Sequence, residues 1–104
     1  MGKIKGYMVI CHYKAGDHMA QVRNDVLSEH MAHIERTVDQ ILLGGPLFEG
    51  DNPAASFLLL KADSEAEALE MAKQDPYYAA GIWDRFTVRR FVGGAGTLLG
   101  GITW

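Results

Sequence analysis

The sequence predicts an α+β domain in which one antiparallel sheet carries two helices on a single face. Two observations predict it. Apolar residues switch between a two-residue and a 3.6-residue period in the order strand, helix, strand, strand, helix, strand. The third strand is apolar on both sides, Phe57 and Leu59 pointing one way and Leu58, Leu60 and Ala62 the other, so a second face of the sheet also needs cover.

Residues 6–13 (Gly6-Tyr-Met-Val-Ile-Cys-His-Tyr13) are β-branched and aromatic and end in the turn-like Lys14-Ala15-Gly16, which makes them the first strand. Asp17 is placed to cap the helix that follows. Val22, Val26, His30, Ile34 and Val38 recur every fourth residue, with Met19, Leu27 and Ile41 widening the stripe, and the pattern spans about six turns. An apolar segment from Ile41 to Phe48, interrupted by Gly44-Gly45-Pro46, leads into the turn Gly50-Asp51-Asn52-Pro53 and then Ser56 to Lys61, which reads as a hairpin. Asp63-Ser64-Glu65-Ala66-Glu67 opens a second helix with acidic residues where they complement the helix dipole, and that helix stops before Pro76. Trp83 to Val92 is the last strand. This order is the ferredoxin-like βαββαβ arrangement, and a homodimer packed sheet against sheet would bury the uncovered face.

At 104 residues the chain holds one core, assigned to residues 1–92. Residues 93–104 form a Gly-rich apolar tail, either frayed or laid as an arm across a partner with Trp104 as its anchor. A content of 48% hydrophobic and 22% charged residues with a net charge of −3 fits a globular protein. It argues against nucleic acid, since the only basic doublet is Arg89-Arg90 in a strand. The lone Cys11 cannot form an intramolecular disulfide, so a reduced cytoplasm is expected. No leader, membrane span or lipid anchor is expected either: Met1-Gly2 resembles a myristoylation start, but Gly6 stands where Ser or Thr is required.

Three polar residues share the apolar line of the first helix. His30 lies near its centre, with Arg23 and Thr37 seven residues to either side. Burying such groups without partners costs roughly 2–7 kcal/mol, so they meet partners or border a cavity. A hydrogen-bonded core histidine satisfies that condition as well as a catalytic one. Asp75 also has two readings, the N-cap of a short turn from Pro76 to Ala80 that Gly81 ends, or a carboxylate facing an imidazole; a capping carboxylate keeps lone pairs for both. If His30 and Asp75 meet, they form the smallest pair able to shuttle a proton near neutral pH.

Other constellations are weaker. His30 and His33 lack a third ligand for a metal. Cys11 and His12 are strand neighbours and point to opposite faces, and Ser28 and Ser56 have no nucleophile-elbow context. Gly44-Gly45-Pro46 has no phosphate-loop spacing and relaxes the strand beside a cavity or forms a bulge. No cofactor motif is present, and none is expected to be needed.

Taken in order, His30-Met-Ala-His-Ile34, Gly44-Gly45-Pro46, the Ser64–Ala68 helix start, Asp75-Pro76-Tyr77, Ala80-Gly81 and Thr87-Val-Arg-Arg-Phe91 resemble the YciI-like (YCII-related) family over residues 6–92. The resemblance implies a dimeric ferredoxin-like α+β protein similar in architecture to muconolactone isomerases. It implies action on small hydroxylated ring compounds, dehydrochlorination of a chlorinated hydroxyquinol among them, with His30 and Asp75 in the positions of the catalytic pair. Many members carry Arg and Pro just before the histidine; this chain has Leu27, Ser28 and Glu29, so an anion anchor falls to Arg23, two turns back.

The reading that results is acid/base isomerisation or elimination on a small oxygenated, cyclic metabolite, with no cofactor. His30 moves the proton, Asp75 holds its tautomer, Arg23 stabilises negative charge, and Tyr77 and Tyr13 bind substrate oxygen. The alternatives are a non-catalytic ligand-binding or regulatory dimer using the same pocket, or a structural subunit of a larger enzyme.

Overall fold

The computed structural model describes residues 4–104, so the Met1-Gly2 start lies outside the described residues. Strand β1 (Lys5–Tyr13) leads to helix α1 (Met19–Thr37), a single 3-10 turn over residues 38–40, and the hairpin β2 (Ile41–Glu49) and β3 (Asn52–Leu60). Helices α2 (Glu65–Ala72) and α3 (Pro76–Ala79) precede β4 (Trp83–Val92), and two short strands, β5 (Ala95–Gly96) and β6 (Gly101–Ile102), close the chain. The main sheet runs β2-β3-β1-β4 with each neighbouring pair antiparallel, which is the ferredoxin-like order.

Residues directly opposite one another in an antiparallel pair share a face of the sheet. Val9 pairs with both Leu58 and Val88, and Cys11 with both Ser56 and Phe86, which sets one face against the helices. Val9, Cys11, Leu58 and Leu60 join Met19 of α1, Ala68 and Ala72 of α2, Tyr77, Ile82 and Trp83 in one core. The opposite face pairs Met8 with Leu59 and Ile10 with Phe57. Leu43, Leu47 and Phe91 remain 40–50% exposed on or beside it.

Three sequence expectations are corrected, and one of the two readings of the tail is dropped. Asp17 does not cap α1, because the helix starts at Met19 with His18 as its N-cap and no side-chain cap bond, which leaves Asp17 one residue too early. Val38 and Ile41 lie outside α1: the α-helix ends at Thr37 after 19 residues, Val38 opens the 3-10 turn, and Ile41 pairs with Leu60 in the sheet. The hairpin turn is narrower than Gly50–Pro53, since Asn52 and Pro53 already pair with Glu49 and Phe48. Proline is tolerated there because the pairing of β1 reaches only Ala55, so Pro53 lies beyond its β1 neighbour; Pro46 sits in the edge strand β2. The tail is also not frayed. The Gly93 N–H reaches Ile4 O at 2.7 Å, the Thr103 N–H reaches Gly94 O at 2.9 Å, and β5 and β6 pair as a small hairpin. Leu98, Ile102 and Trp104 project from it, 60–84% exposed.

Candidate active site

Two local signals place the central pair. The apolar stripe of α1 turns His30 toward the sheet, and the end of α2 followed by Pro76 forces a break in which Asp75 takes an extended conformation (φ −75°, ψ 138°) as the N-cap of α3. Its Oδ1 accepts the Tyr77 N–H at 2.8 Å. The same carboxylate meets the imidazole: His30 Nδ1 lies 2.8 Å from Oδ1 and 2.8 Å from Oδ2. The Asp75 side chain is only 2% exposed, against 15% for His30. A charge buried that deeply needs several hydrogen bonds, and the backbone amide and the imidazole supply them.

An aromatic cage fixes the ring plane. Tyr77 stacks on His30 with centroids 3.9 Å apart and planes 14° from parallel, while Trp83 meets both rings edge-on at about 6 Å. Burial, with the neighbouring Tyr13 and then Asp75 adding to it against the opposing charge of Arg23, holds the Tyr77 phenol above its ordinary pKa, so it stays a hydrogen-bond donor. The Tyr13 hydroxyl lies 3.1 Å from the buried Ser56 Oγ. The Arg23 guanidinium sits over the Tyr13 ring, 4.9 Å from its centroid.

These groups border a groove of about 680 Å³ between α1 and the β2–β3 hairpin. His30, Tyr13, Tyr77 and Ser56 are its polar lining; Leu27, Met31, Ile34, Val38 and residues 41–46 supply most of the rest. Gly44 and Gly45 are part of this wall, and the two β2 irregularities fall elsewhere, between Ile41 and Leu43 and between Leu47 and Phe48. Of the two roles the sequence allows for these glycines, the structure takes the cavity and not the bulge. Asp75 itself stands in the wall of a smaller cavity of about 80 Å³, with His33, Thr37 and Gln74 among its other lining residues.

Of the five residues singled out by the sequence, four come together at the groove or in direct contact with it: His30, Asp75, Tyr77 and Tyr13. Arg23 is not part of the groove wall and touches it through Tyr13. Two neighbours escape sequence reasoning. Ser56 is one polar residue ahead of an apolar run, and nothing local ties it to Tyr13; Trp83 opens a strand and looks like core. Among the described residues Trp83 Nε1 is a buried donor without a partner.

Cys11 is buried in the core, and that burial, with the charge of Asp75 adding to it, pushes the thiol well above its ordinary pKa, so it is no thiolate nucleophile. His12 points to the opposite face, 3.0 Å from Thr87 Oγ1. Among the described residues no three His, Cys, Asp or Glu side chains gather into a metal site. No helix among them is long and apolar enough to cross a membrane.

A family profile described as the YCII-related domain matches residues 6–92. A curated relative, the "Xenovulene A biosynthesis cluster protein asL2" of Sarocladium schorii, is 33% identical over 82 residues, covering 68% of this chain and 71% of that protein. A solved structure, 5-chloro-2-hydroxyhydroquinone dehydrochlorinase (TftG) from Burkholderia phenoliruptrix AC1100 in complex with 2,5-dihydroxybenzoquinone, superposes with a TM-score of 0.68 at 26% identity. It covers 88% of this chain and 97% of that one.

Proposed function

This chain belongs to the YCII-related family, and from that premise we propose that it is a cofactor-independent acid/base catalyst of isomerisation or elimination on a small, oxygenated cyclic compound. The observation that carries the reading is the approach of both Asp75 oxygens to one imidazole nitrogen, 2.8 Å each. A carboxylate only accepts hydrogen bonds, so Nδ1 carries the proton and Nε2 keeps its lone pair for the groove.

In this reading Nε2 takes a proton from a ring hydroxyl, or from the carbon beside a carbonyl, and Asp75 stabilises the imidazolium that forms. In an elimination the imidazolium gives its proton to the ring carbon that bears the leaving group, and when Nε2 then takes the proton of a second hydroxyl the carbonyl that forms expels that group, chloride for instance; in an isomerisation the proton returns to another atom. The Tyr77 and Tyr13 phenols and Ser56 hold substrate oxygens, and Arg23 lends positive charge through the Tyr13 ring. The dehydrochlorinase among the solved structures, bound to a dihydroxybenzoquinone, supports this reaction class.

The test is chloride release from 5-chloro-2-hydroxyhydroquinone and proton exchange into 2,5-dihydroxybenzoquinone. His30→Asn and Asp75→Asn are run beside the parent chain, with circular dichroism to show that each variant is folded. Loss of turnover by about 10²- to 10⁴-fold in His30→Asn is expected for removal of a general base. Wild-type turnover in that variant contradicts the mechanism. Saturable binding with no consumption of any hydroxylated ring compound identifies a ligand-binding protein instead.

A further inference from the structure

The groove is much larger than proton transfer on a single ring requires. An apolar cavity of about 150 Å³ is enough to hold benzene. At about 680 Å³ this one falls among those of roughly 300–1,000 Å³ that take drug-sized ligands.

Its chemistry is also divided. The polar groups gather around His30, and among the described residues no Asp, Glu, Lys or Arg stands in the wall. From His30 the groove follows α1 past Met31, Ile34 and Val38, facing Ile41 and Leu42 of β2. Met31 and Val38 are 52% and 56% exposed, apolar surface that stays wet while the groove is empty. On the face of β2 toward α1 the wall is kept low by Gly44, where an added Cβ would already stand 3.3 Å from Leu58 Cδ2.

On the reading that His30 and Asp75 are the acid/base pair, we infer that the substrate is amphipathic: a hydroxylated ring at His30 carrying a hydrocarbon substituent of about six carbons or more, laid between α1 and β2. The ring presents its oxygens to His30, Tyr13 and Ser56. The substituent covers Met31, Ile34 and Val38.

The probes are resorcinol, 4-ethylresorcinol, 4-butylresorcinol and 4-hexylresorcinol, titrated by calorimetry into the full chain. Burial of each methylene is expected to tighten binding about two- to fourfold, the upper figure being that for complete burial. The double variant Met31→Glu, Val38→Glu changes two exposed positions, and circular dichroism checks its fold. It is expected to flatten the chain-length dependence. His30→Asn is expected to weaken the whole series by one common factor.

An affinity that does not change with chain length in the parent protein overturns the inference and leaves the acid/base reading standing. A dependence that persists in the double variant puts the hydrocarbon elsewhere and also overturns it. A series unaffected by His30→Asn removes the ring from His30, and both readings fall together.

Discussion

Asp75 serves two partners at once, and its substitutions separate them. The carboxylate caps α3 through the Tyr77 N–H and holds His30 Nδ1. Asp75→Ala loses both and is expected to cost at least about 1 kcal/mol from the cap alone. Asp75→Asn keeps a capping oxygen and removes the charge, so it is expected to retain most of the stability while losing activity. Urea unfolding of the two variants checks the difference, and equal large losses would make the contact with His30 a matter of stability. His12 gives a residue-scale prediction of another kind. Arg85 Nη2 donates to Nδ1 across 3.3 Å and Nε2 faces Thr87 Oγ1, an arrangement that suits the neutral ring with its proton on Nε2. Burial first and then the charge of Arg85, opposed by Asp84, hold its pKa below 6.5. The unfolded chain therefore takes up this proton before the folded one does. The contribution is intact above pH 6.5 and is lost as pH falls below it toward the folded pKa. His12→Gln is expected to reduce the drop in urea midpoint over that range, and an unchanged drop contradicts the assignment. His30 and Asp75 are legible in the sequence because a helical period and an Asp-Pro pair are local signals. Ser56 and Trp83 are not, because their meaning depends on strands 43 and more residues away.

At the scale of elements, α2 is the most self-contained piece. Ser64 Oγ accepts the Glu67 N–H at 3.0 Å, while Glu67 Oε1 accepts the Asp63 N–H at 2.9 Å, a reciprocal cap written into five consecutive residues and their spacing. Ser64→Ala is expected to lower stability by about 1 kcal/mol without changing ligand binding, measured by urea denaturation. A loss of binding as large as the loss of stability would tie α2 to the site. Other boundaries are tertiary decisions. The apolar period of α1 continues in sequence through Val38 and Ile41, yet the chain leaves the helix after Thr37 because Ile41 is taken by Leu60. The irregularities of β2 depend on its register with β3, which no period-two pattern records. The order of the four main strands and of α1 and α2 among them is legible; the helix end, the strand bulges and the folded tail are not.

For the molecule as a whole, the uncovered sheet face and the projecting tail both leave apolar groups in water. Leu47 and Phe91 on the sheet, with Leu98 and Trp104 on the tail, are between 40% and 84% exposed. That surface is what a second copy of the chain would bury. Sedimentation equilibrium is expected to give twice the chain mass at micromolar concentration, and Leu47→Glu with Phe91→Glu to give the single mass with the fold retained. A monomeric parent chain contradicts the dimer. The asymmetry between the two faces follows from composition: β3 is apolar on both sides, a property visible in the sequence, whereas the groove beside α1 arises only once β2 is set at the sheet edge.

The central claim is that Asp75 fixes the tautomer of His30 and leaves Nε2 as the basic atom facing the groove. Long-range proton–nitrogen NMR correlation of the His30 ring tests it most directly. The account predicts that the neutral ring carries its proton on Nδ1 in the parent chain and loses that preference in Asp75→Asn. A proton on Nε2 in the parent chain, or the same tautomer populations in both proteins, would contradict it.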